Sequence, residues 1–182
     1  FFEFHNKNAF EIHGFSFQPV QGNDAYRKKI IKDFDFFYDV ENKSDYEVVE
    51  FSRSLNLDIA VDLNGHTQNA RTMIFCYRVA PIQINFLGFP GTMGTSFYDY
   101  IIADKYVIPP EHNNNFSEKV AYLPNSYLIN PSYRNISTIK ISKSDLGFTK
   151  NSFIFCSFNN SYKILPDIIN IWISILNKVE NS

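Results

Sequence analysis

The chain has 182 residues, of which 45% are hydrophobic and 20% are charged, and its formal net charge is −2 at pH 7. These values are typical of one globular domain, or of one domain with part of another. The slight acidity gives no electrostatic reason to expect nucleic acid or an anionic membrane as a partner. No apolar run approaches the roughly 20 residues of a membrane span, and no signal peptide is visible at Phe1. The composition therefore excludes the strongly basic and the membrane-spanning classes of protein.

The first third of the chain alternates between strand-like and helix-like segments. Strands are predicted over 9–17 and 34–40, where apolar and polar residues alternate, and a short basic helix is predicted over 25–32 between them. The sequence that begins at Ser44 is a capping box with Glu47 at its fourth position, which predicts a helix to about residue 55.

The middle of the chain is organised around a short apolar strand that opens into a glycine-rich loop. This strand is predicted over 82–86, after a strand over 57–63 and a helix over 70–77. Further strands are predicted over 98–104 and 120–123. Continuous apolar strands that alternate with helices are the pattern of a parallel sheet covered on both faces. The sequence therefore predicts an α/β fold.

The loop after the central strand is the first candidate binding site. It consists of Leu87, Gly88, Phe89, Pro90, Gly91 and Thr92. The carboxyl edge of the sheet is where open α/β folds bind ligands, and glycine lets a ligand approach the backbone closely. The loop is thus predicted to bind a phosphate or a sugar. The alternative is a tight strand-to-helix turn that binds no ligand.

A second candidate loop follows a change in composition. Residues 124–142 are rich in Asn, Ser, Tyr and Pro, which is typical of a linker. A strand is then predicted over 152–158, and Pro166 is expected to begin a helix at its first turn. The loop between them contains Asn159, Asn160, Ser161, Tyr162 and Lys163. A single lysine beside a helix N-terminus is well placed to bind phosphate. The alternative is an exposed turn whose lysine is only solvated.

The histidines and the cysteines are the remaining candidates for functional residues. His66 and Thr67 follow the strand over 57–63, and a histidine there can act as a base or donate a hydrogen bond to a substrate. The alternative is a loop histidine with neither role. The other histidines have no carboxylate or cysteine at ligand spacing, so no metal site is predicted. Cys76 and Cys156 lie in apolar runs and are expected to be small buried hydrophobic residues.

Four blocks of the sequence together resemble one known family. Residues 80–94 resemble the R-P-A-P-(I/V)-Q-x-x-(W/Y/F)-L-G-(Y/F)-P-G-T-(S/M)-G block of the O-linked N-acetylglucosamine transferases, including SPINDLY-like and bacterial relatives. Residues 58–67 are similar to the family's D-I-L-V-D-L-x-G-Y-T, and 155–166 to its C-x-F-N-(N/Q)-x-Y-K-I-x-P. Residues 98–110 and 117–124 are similar to its D-Y-(I/L)-I-(A/T)-D and S-E-K-x-x-Y-(L/M)-P segments. The blocks occur in the family's order and extend over the whole chain.

The resemblance implies a two-lobed glycosyltransferase of the GT-B type that binds UDP-N-acetylglucosamine between two Rossmann-like lobes. Residues 1–125 would form most of the N-lobe, 126–142 the linker, and 143–182 the start of the nucleotide-binding C-lobe. The implied reaction transfers N-acetylglucosamine to Ser or Thr hydroxyls of proteins, with inversion and without a metal or other cofactor.

The resemblance also assigns roles to individual residues. Lys163 would be the catalytic lysine that stabilises the leaving diphosphate, together with amides at a helix end. Asn159, Asn160 and Tyr162 would lie beside the nucleotide, and the loop 87–92 would contact the sugar side of the donor. His66, where the family usually has Tyr, and Thr67 would lie on the acceptor side.

The same resemblance sets the expected context of the chain. Tetratricopeptide repeats and an S-x-D-F-x-x-H-P segment would precede Phe1, and an H-x-T-G phosphate-binding segment would follow Ser182. The chain alone is therefore expected to be inactive. A short linker is typical of bacterial relatives, and a cytoplasmic protein is expected. The alternatives are an inactive nucleotide-sugar-binding or protein-interaction module, and a GT-B transferase that uses another donor such as UDP-glucose.

Overall fold

The chain forms an α/β structure that divides into two units, Phe1–Ser132 and Tyr133–Ser182. It is a computed structural model that describes residues 2–19, 22, 24–130 and 136–182. The strands described in the first unit are β1 His13–Ser16, β2 Phe36–Asp39, β3 Ile59–Asp62, β4 Ile82–Phe86, β5 Tyr100–Ala103 and β6 Lys119–Tyr122. The α-helices described are α1 Ala25–Asp33, α2 Asp45–Ser54, α3 Met73–Cys76 and, in the second unit, α4 Pro166–Leu176. None of these helices is long and apolar enough to cross a membrane.

All paired strands in the described part of the first unit are parallel. β1 and β2 form a two-stranded sheet, and the other four strands form a second sheet in the order β3-β4-β5-β6. Parallel neighbours need a crossover connection, and helices α1 and α3 lie in the connections β1–β2 and β3–β4, while α2 lies between the two sheets in sequence. The structure thus confirms the predicted parallel α/β arrangement, and β4 has the predicted bounds.

The helix boundaries follow from local hydrogen bonds. The backbone N–H of Ser44 donates to Oε2 of Glu47 at 2.7 Å, and the N–H of Glu47 donates to Oγ of Ser44 at 3.3 Å. This confirms the capping box and fixes the start of α2. At α1, the side chain of Asp24 accepts from the N–H groups of Tyr26 and Arg27 in the same manner.

The core of the first unit lies on one face of the four-stranded sheet. Helices α2 and α3 and the segment after β4 contribute to one buried cluster, whose members are Val40, Val48, Val49, Ile74, Phe75, Val79, Met93 and Tyr98. The pair Val48 and Val49 in α2 and the pair Ile74 and Phe75 in α3 face this cluster. Because both helices pack into one cluster, they cover the same side of the sheet.

The opposite face of this sheet is only partly covered within the described residues, and it is most open at β3 and the start of β4. Ile59 pairs in register with Ile82, and Val61 pairs with Ile84, so these side chains share one face. Ile59 is 50% exposed and Ile82 is 38% exposed. The prediction of a sheet covered on both faces is therefore wrong for the described part of this sheet, since helices α2 and α3 both lie on the other side.

The second unit has secondary structure but little packing. None of its described residues is buried, and helix α4 exposes apolar side chains around its whole surface. The predicted strand over 152–158 is wrong here. The N–H of Phe153 donates to the carbonyl of Asn181 at 2.8 Å, but no described segment pairs with 152–158 as a neighbouring strand. A strand needs a partner for its backbone groups, whatever its side-chain pattern.

The two cysteines also differ from expectation. Cys76 and Cys156 are both exposed rather than buried. Cys76 is the last residue of the four-residue helix α3, whose buried residues are Ile74 and Phe75. Cys156 lies in the second unit, where no described residue is buried. Apolar residues beside each cysteine in the sequence therefore do not show that its thiol is buried.

Candidate functional site

The glycine-rich loop after β4 lies directly against the loop after β3. A Cβ atom added to Gly88 would overlap the carbonyl oxygens of Leu63 and Asn64, so the two backbones are in close contact. The His66 ring meets the Phe89 ring edge-on, with 5.9 Å between the ring centroids. The structure thus brings the predicted donor loop and the predicted acceptor-side histidine together at the carboxyl edge of the sheet.

Glycine is required at two positions of this contact. Gly88 has no room for a side chain beside the backbone of the β3 loop. Gly65 has a φ of +57°, which L side chains rarely adopt, and an added Cβ would lie 3.1 Å from Oδ1 of Asn85. Leu87 has a φ of +78°, which is unusual for a non-glycine residue and marks the sharp turn where β4 ends.

Asn85 connects the glycine-rich loop to strand β4 through side-chain hydrogen bonds. Its side chain is completely buried, and its Nδ2 group donates to the carbonyls of Phe89 at 3.3 Å and Gly91 at 3.2 Å. Its Oδ1 atom has no hydrogen-bond partner among the described residues. The amide of Asn85 therefore satisfies two loop carbonyls that a fully apolar core would leave unpaired.

Asp62 has the corresponding role under the β3 loop. Its Oδ1 atom accepts from the N–H groups of Asn64 at 2.8 Å and Gly65 at 3.1 Å. Its Oδ2 atom accepts from the Tyr98 hydroxyl at 2.6 Å. Burial, and then the contact with Asp62, raise the pKa of Tyr98 well above its usual range. Tyr98 therefore remains a protonated donor that holds the carboxylate in place.

Glu118 fixes the far end of the glycine-rich loop. This buried carboxylate lies just before β6 and accepts from the Thr92 hydroxyl at 2.7 Å and from the Met93 N–H at 2.6 Å. Oγ1 of Thr92 in turn accepts from the N–H groups of Gly94 at 3.0 Å and Ser117 at 3.2 Å. The loop is therefore held by side chains from two strand segments, through Asn85 and Glu118.

Asp62, Asn85 and Glu118 are site residues that the sequence patterns did not predict. One signal for them is the alternation in β4, which places Gln83 and Asn85 on one face and the isoleucines on the other. A polar face would ordinarily be assigned to solvent. In the structure Gln83 and Asn85 are fully buried, because loop backbone groups on the covered face need hydrogen-bond partners.

The lysine loop of the second unit is built differently. Ser161–Lys163 forms one 3₁₀ turn, and α4 begins at Pro166 as predicted. Nζ of Lys163 lies 6.0 Å from the centroid of the Tyr162 ring, and this lysine forms no ion pair within the described part of the chain. Asn159, Asn160 and Tyr162 are all exposed on the same loop. The predicted nucleotide-side residues therefore lie together, and their roles stay predictions.

No metal-binding group is found where the structure is described. Across residues 2–19, 22, 24–130 and 136–182, no three His, Cys, Asp or Glu side chains are grouped so that they could share a metal ion. The expectation of a metal-free reaction is not tested by this finding and stays a prediction.

The fold first defines a class of protein. The chain superposes on a solved structure described as "Thermobaculum terrenum O-GlcNAc transferase mutant - K341M", with a TM-score of 0.81 and 28% sequence identity. The match covers 97% of this chain and 32% of that one. Together with the parallel sheets, this likeness identifies an α/β fold of the GT-B glycosyltransferase type, as expected.

The chain belongs to glycosyl transferase family 41, whose model matches residues 1–139 and 133–182. It is 33% identical over 186 residues to the Arabidopsis thaliana protein named "Probable UDP-N-acetylglucosamine--peptide N-acetylglucosaminyltransferase SEC". That alignment covers 100% of this chain and 19% of the relative. The Caenorhabditis elegans UDP-N-acetylglucosamine--peptide N-acetylglucosaminyltransferase is 32% identical over 126 residues, which is 69% of this chain and 11% of the relative. The chain thus spans a fifth or less of the length of these curated relatives.

Proposed function

We propose that the full-length protein is an inverting glycosyltransferase that moves N-acetylglucosamine from UDP-N-acetylglucosamine to Ser or Thr hydroxyls of proteins. The observation that carries this proposal is the family match over the whole chain. The names of the relatives in Arabidopsis and Caenorhabditis support the donor and the peptide acceptor. In this proposal the sugar binds at the paired loops at the carboxyl edge of the sheet, and the contact between these loops supports that assignment.

The proposed reaction is a displacement at the anomeric carbon, and Lys163 stabilises the leaving group. The acceptor oxygen attacks the anomeric carbon from the face opposite UDP, the bond from that carbon to the diphosphate breaks, and the configuration inverts. The hydroxyl proton leaves to a base or to water. Charge then develops on the diphosphate, where the ammonium of Lys163 stabilises it without a metal. Helix α4 begins at Pro166, so its N-terminal amides favour the same anion.

The remaining residues of the site bind and orient the substrates in this proposal. The loop 87–92 holds the sugar side of the donor, and Asn159, Asn160 and Tyr162 hold the nucleotide. His66 and Thr67 are both exposed, and the His66 ring meets Phe89 of the donor loop, which suits the acceptor side.

The setting of the enzyme is part of the same proposal. Tetratricopeptide repeats upstream of this chain recruit the protein acceptors, and the protein acts in the cytoplasm. A bacterial type of enzyme is supported by the short linker over 126–142 between the two predicted lobes.

The test is UDP-N-acetylglucosamine turnover by the full-length protein, wild type against Lys163→Ala. We expect activity to fall by about two to three orders of magnitude, the scale of losing one group that stabilises developing charge. Lys150→Ala is the matched control, because Lys150 is another exposed loop lysine of the second unit and should leave activity unchanged.

Other outcomes separate the alternatives. Equal activity of wild type and Lys163→Ala would show that the lysine loop is only a turn. UDP binding without transfer by the wild type would indicate an inactive nucleotide-sugar-binding module. A preference for UDP-glucose in the same assay would replace the donor and keep the transferase class.

A further inference from the structure

We propose that Glu118 is the positioning residue of the donor loop, and that it acts through Thr92 and Met93 rather than by touching the substrate. This inference rests on the proposed function, since it assigns Glu118 a role in donor binding. The observation behind it is a buried carboxylate, 4% exposed, that lies next to a predicted donor-binding residue and forms no ion pair in the described structure.

Both oxygens of Glu118 accept hydrogen bonds from the loop. Oε2 accepts from the Thr92 hydroxyl at 2.7 Å and Oε1 accepts from the Met93 N–H at 2.6 Å. An ionised carboxylate forms shorter and stronger hydrogen bonds than a neutral amide oxygen does. A buried carboxylate is costly unless it is satisfied in this way, so the residue type serves these contacts.

The hydrogen bonds of Thr92 explain why an acceptor is needed at Glu118. Oγ1 of Thr92 accepts from the N–H groups of Gly94 at 3.0 Å and Ser117 at 3.2 Å. These two bonds occupy both lone pairs of the hydroxyl, so its own hydrogen must point to an acceptor. Oγ of Ser117 lies 3.1 Å away, but Oε2 of Glu118 at 2.7 Å is the nearer and the stronger acceptor. A glutamine at position 118 would present an NH₂ group either to this hydroxyl or to the Met93 N–H. The second orientation would set one donor against another, and the first would force the Thr92 hydrogen to turn from position 118 to Oγ of Ser117.

The consequence is that the strand beside the loop sets the loop's position. Glu118 precedes β6, which is paired with β5, so the sheet fixes the carboxylate. The carboxylate then fixes the loop end that carries Gly91 and Thr92. Asn85 of β4 fixes the middle of the loop independently, through the carbonyls of Phe89 and Gly91. Loss of Glu118 should therefore loosen one end of the loop without releasing the whole loop.

The test measures donor KM and kcat in the full-length protein for wild type, Glu118→Gln, Thr92→Val, and the double variant. We expect each single variant to raise donor KM by about tenfold, which corresponds to a loss of about 1.4 kcal/mol of donor binding. kcat should change less than about twofold, as expected when uniform binding is lost. The double variant should resemble the worse single variant, because both substitutions break the same contact.

Three controls separate positioning from a general loss of stability. Thr92→Ser keeps the hydroxyl and should have a donor KM several-fold lower than that of Thr92→Val. Glu111→Gln changes an exposed glutamate in the 3₁₀ turn before β6 and should have no effect. A purely structural defect lowers the fraction of active enzyme, which reduces the apparent kcat but leaves KM unchanged. If Glu118→Gln does not fold, the pair Thr92→Val and Thr92→Ser still provides the comparison.

The outcomes distinguish the two proposals. An active wild type with unchanged donor KM in Glu118→Gln and Thr92→Val would overturn the role of Glu118 and leave the transferase proposal intact. A wild type that binds UDP-N-acetylglucosamine but does not transfer it would overturn the transferase proposal. The Glu118 role would then be tested by the same variants in calorimetric donor binding, where a tenfold weaker affinity supports it and an equal affinity overturns it. A wild type that does not bind the donor would overturn both.

Discussion

Each of the two candidate loops follows an apolar segment of the sequence, but the two differ in the contacts that hold them in place. The loop 87–92 is anchored by buried side chains, among them Asn85 and Glu118, and its backbone contacts the neighbouring loop. The loop 159–163 follows a segment with no strand partner in the described residues, and its side chains are exposed. A glycine-rich loop can be preorganised by polar groups in the sheet beneath it, whereas the lysine loop has no such groups around it among the residues that the structure describes.

This difference follows from packing rather than from composition. Both units contain aromatic and branched apolar residues, yet the first has a core around α2 and α3 while the described residues of the second are all exposed or half-exposed. Pairing with neighbouring strands and covering by helices create the buried space in which polar side chains must find partners.

The largest effect is expected from Gly88→Ala. The added methyl group would overlap the backbone oxygens of Leu63 and Asn64, which cannot move without displacing β3. We expect unfolding free energy to fall by roughly 3 kcal/mol, as for severe overpacking. Urea unfolding of the 182-residue chain measures this change.

Gly147→Ala in the second unit is the matched control for that substitution. Gly147 also needs a special conformation, with a φ of +79°, but an added Cβ would meet no atom within 4 Å. Its cost should be limited to backbone strain of about 1 kcal/mol. Equal losses for the two glycines would show that crowding at Gly88 is not the source of its effect.

A smaller effect is expected from removing apolar atoms in each unit. Val49 is 0% exposed in the core cluster, whereas Ile171 of α4 is 55% exposed. Val49→Ala should reduce the free energy of unfolding by about 2 kcal/mol, and Ile171→Ala by less than about 0.5 kcal/mol. A larger loss for Ile171→Ala than for Val49→Ala, measured by urea unfolding, would contradict the assignment of the core to the first unit.

The sequence was sufficient for features that depend on local pattern. The capping box at Ser44 and the strand Ile82–Phe86 were both predicted with nearly correct bounds, since each is specified by neighbouring residues. The sequence blocks alone also indicated the correct family, because each block is a run of adjacent residues. Loop 87–92 follows a strand as predicted, whereas the loop of Lys163 follows a segment that forms no strand, and the contacts of both loops with substrate stay predictions.

What the sequence could not show depends on distant partners. Segment 152–158 has a strand-like pattern, but strand formation depends on a neighbour that no local pattern reveals. Glu118 contacts Thr92 across 26 residues, and Asp62 contacts Tyr98 across 36 residues. Charged residues are rarely buried, so the sequence alone gives no reason to place either carboxylate beneath a loop.

The smallest effect concerns acid stability of the first unit. The Ile12 N–H, and then His5 and Lys7, lower the pKa of Asp35 from 3.8 to about 2. A pKa that is lower in the folded state stabilises the fold above the unfolded value, and this contribution is lost as the pH falls from about 4 to about 2. Asp35→Asn should therefore be less stable than the wild type at about pH 6, with a smaller difference at about pH 2.5.

Urea unfolding of both proteins across this pH range measures the difference. Asp145→Asn tests the second unit in parallel, because the Ser142 side chain and backbone lower the pKa of Asp145. Asp145 lies outside the core of the first unit, so its replacement should leave the unfolding midpoint of that unit unchanged. A constant gap between wild type and Asp35→Asn at every pH would contradict the assigned role of the ionised carboxylate.

The central claim is that the loop of Lys163 acts on the leaving group and that loop 87–92 binds the donor. Its most direct test is a side-by-side measurement of kcat and donor KM for Lys163→Ala and Glu118→Gln in the full-length protein. Lys163→Ala should lower kcat by about two to three orders of magnitude, because its charge acts on the leaving group. Glu118→Gln should instead raise donor KM with kcat nearly unchanged. The same parameter changing in both variants, or neither parameter changing in either, would contradict the separate roles of the two loops.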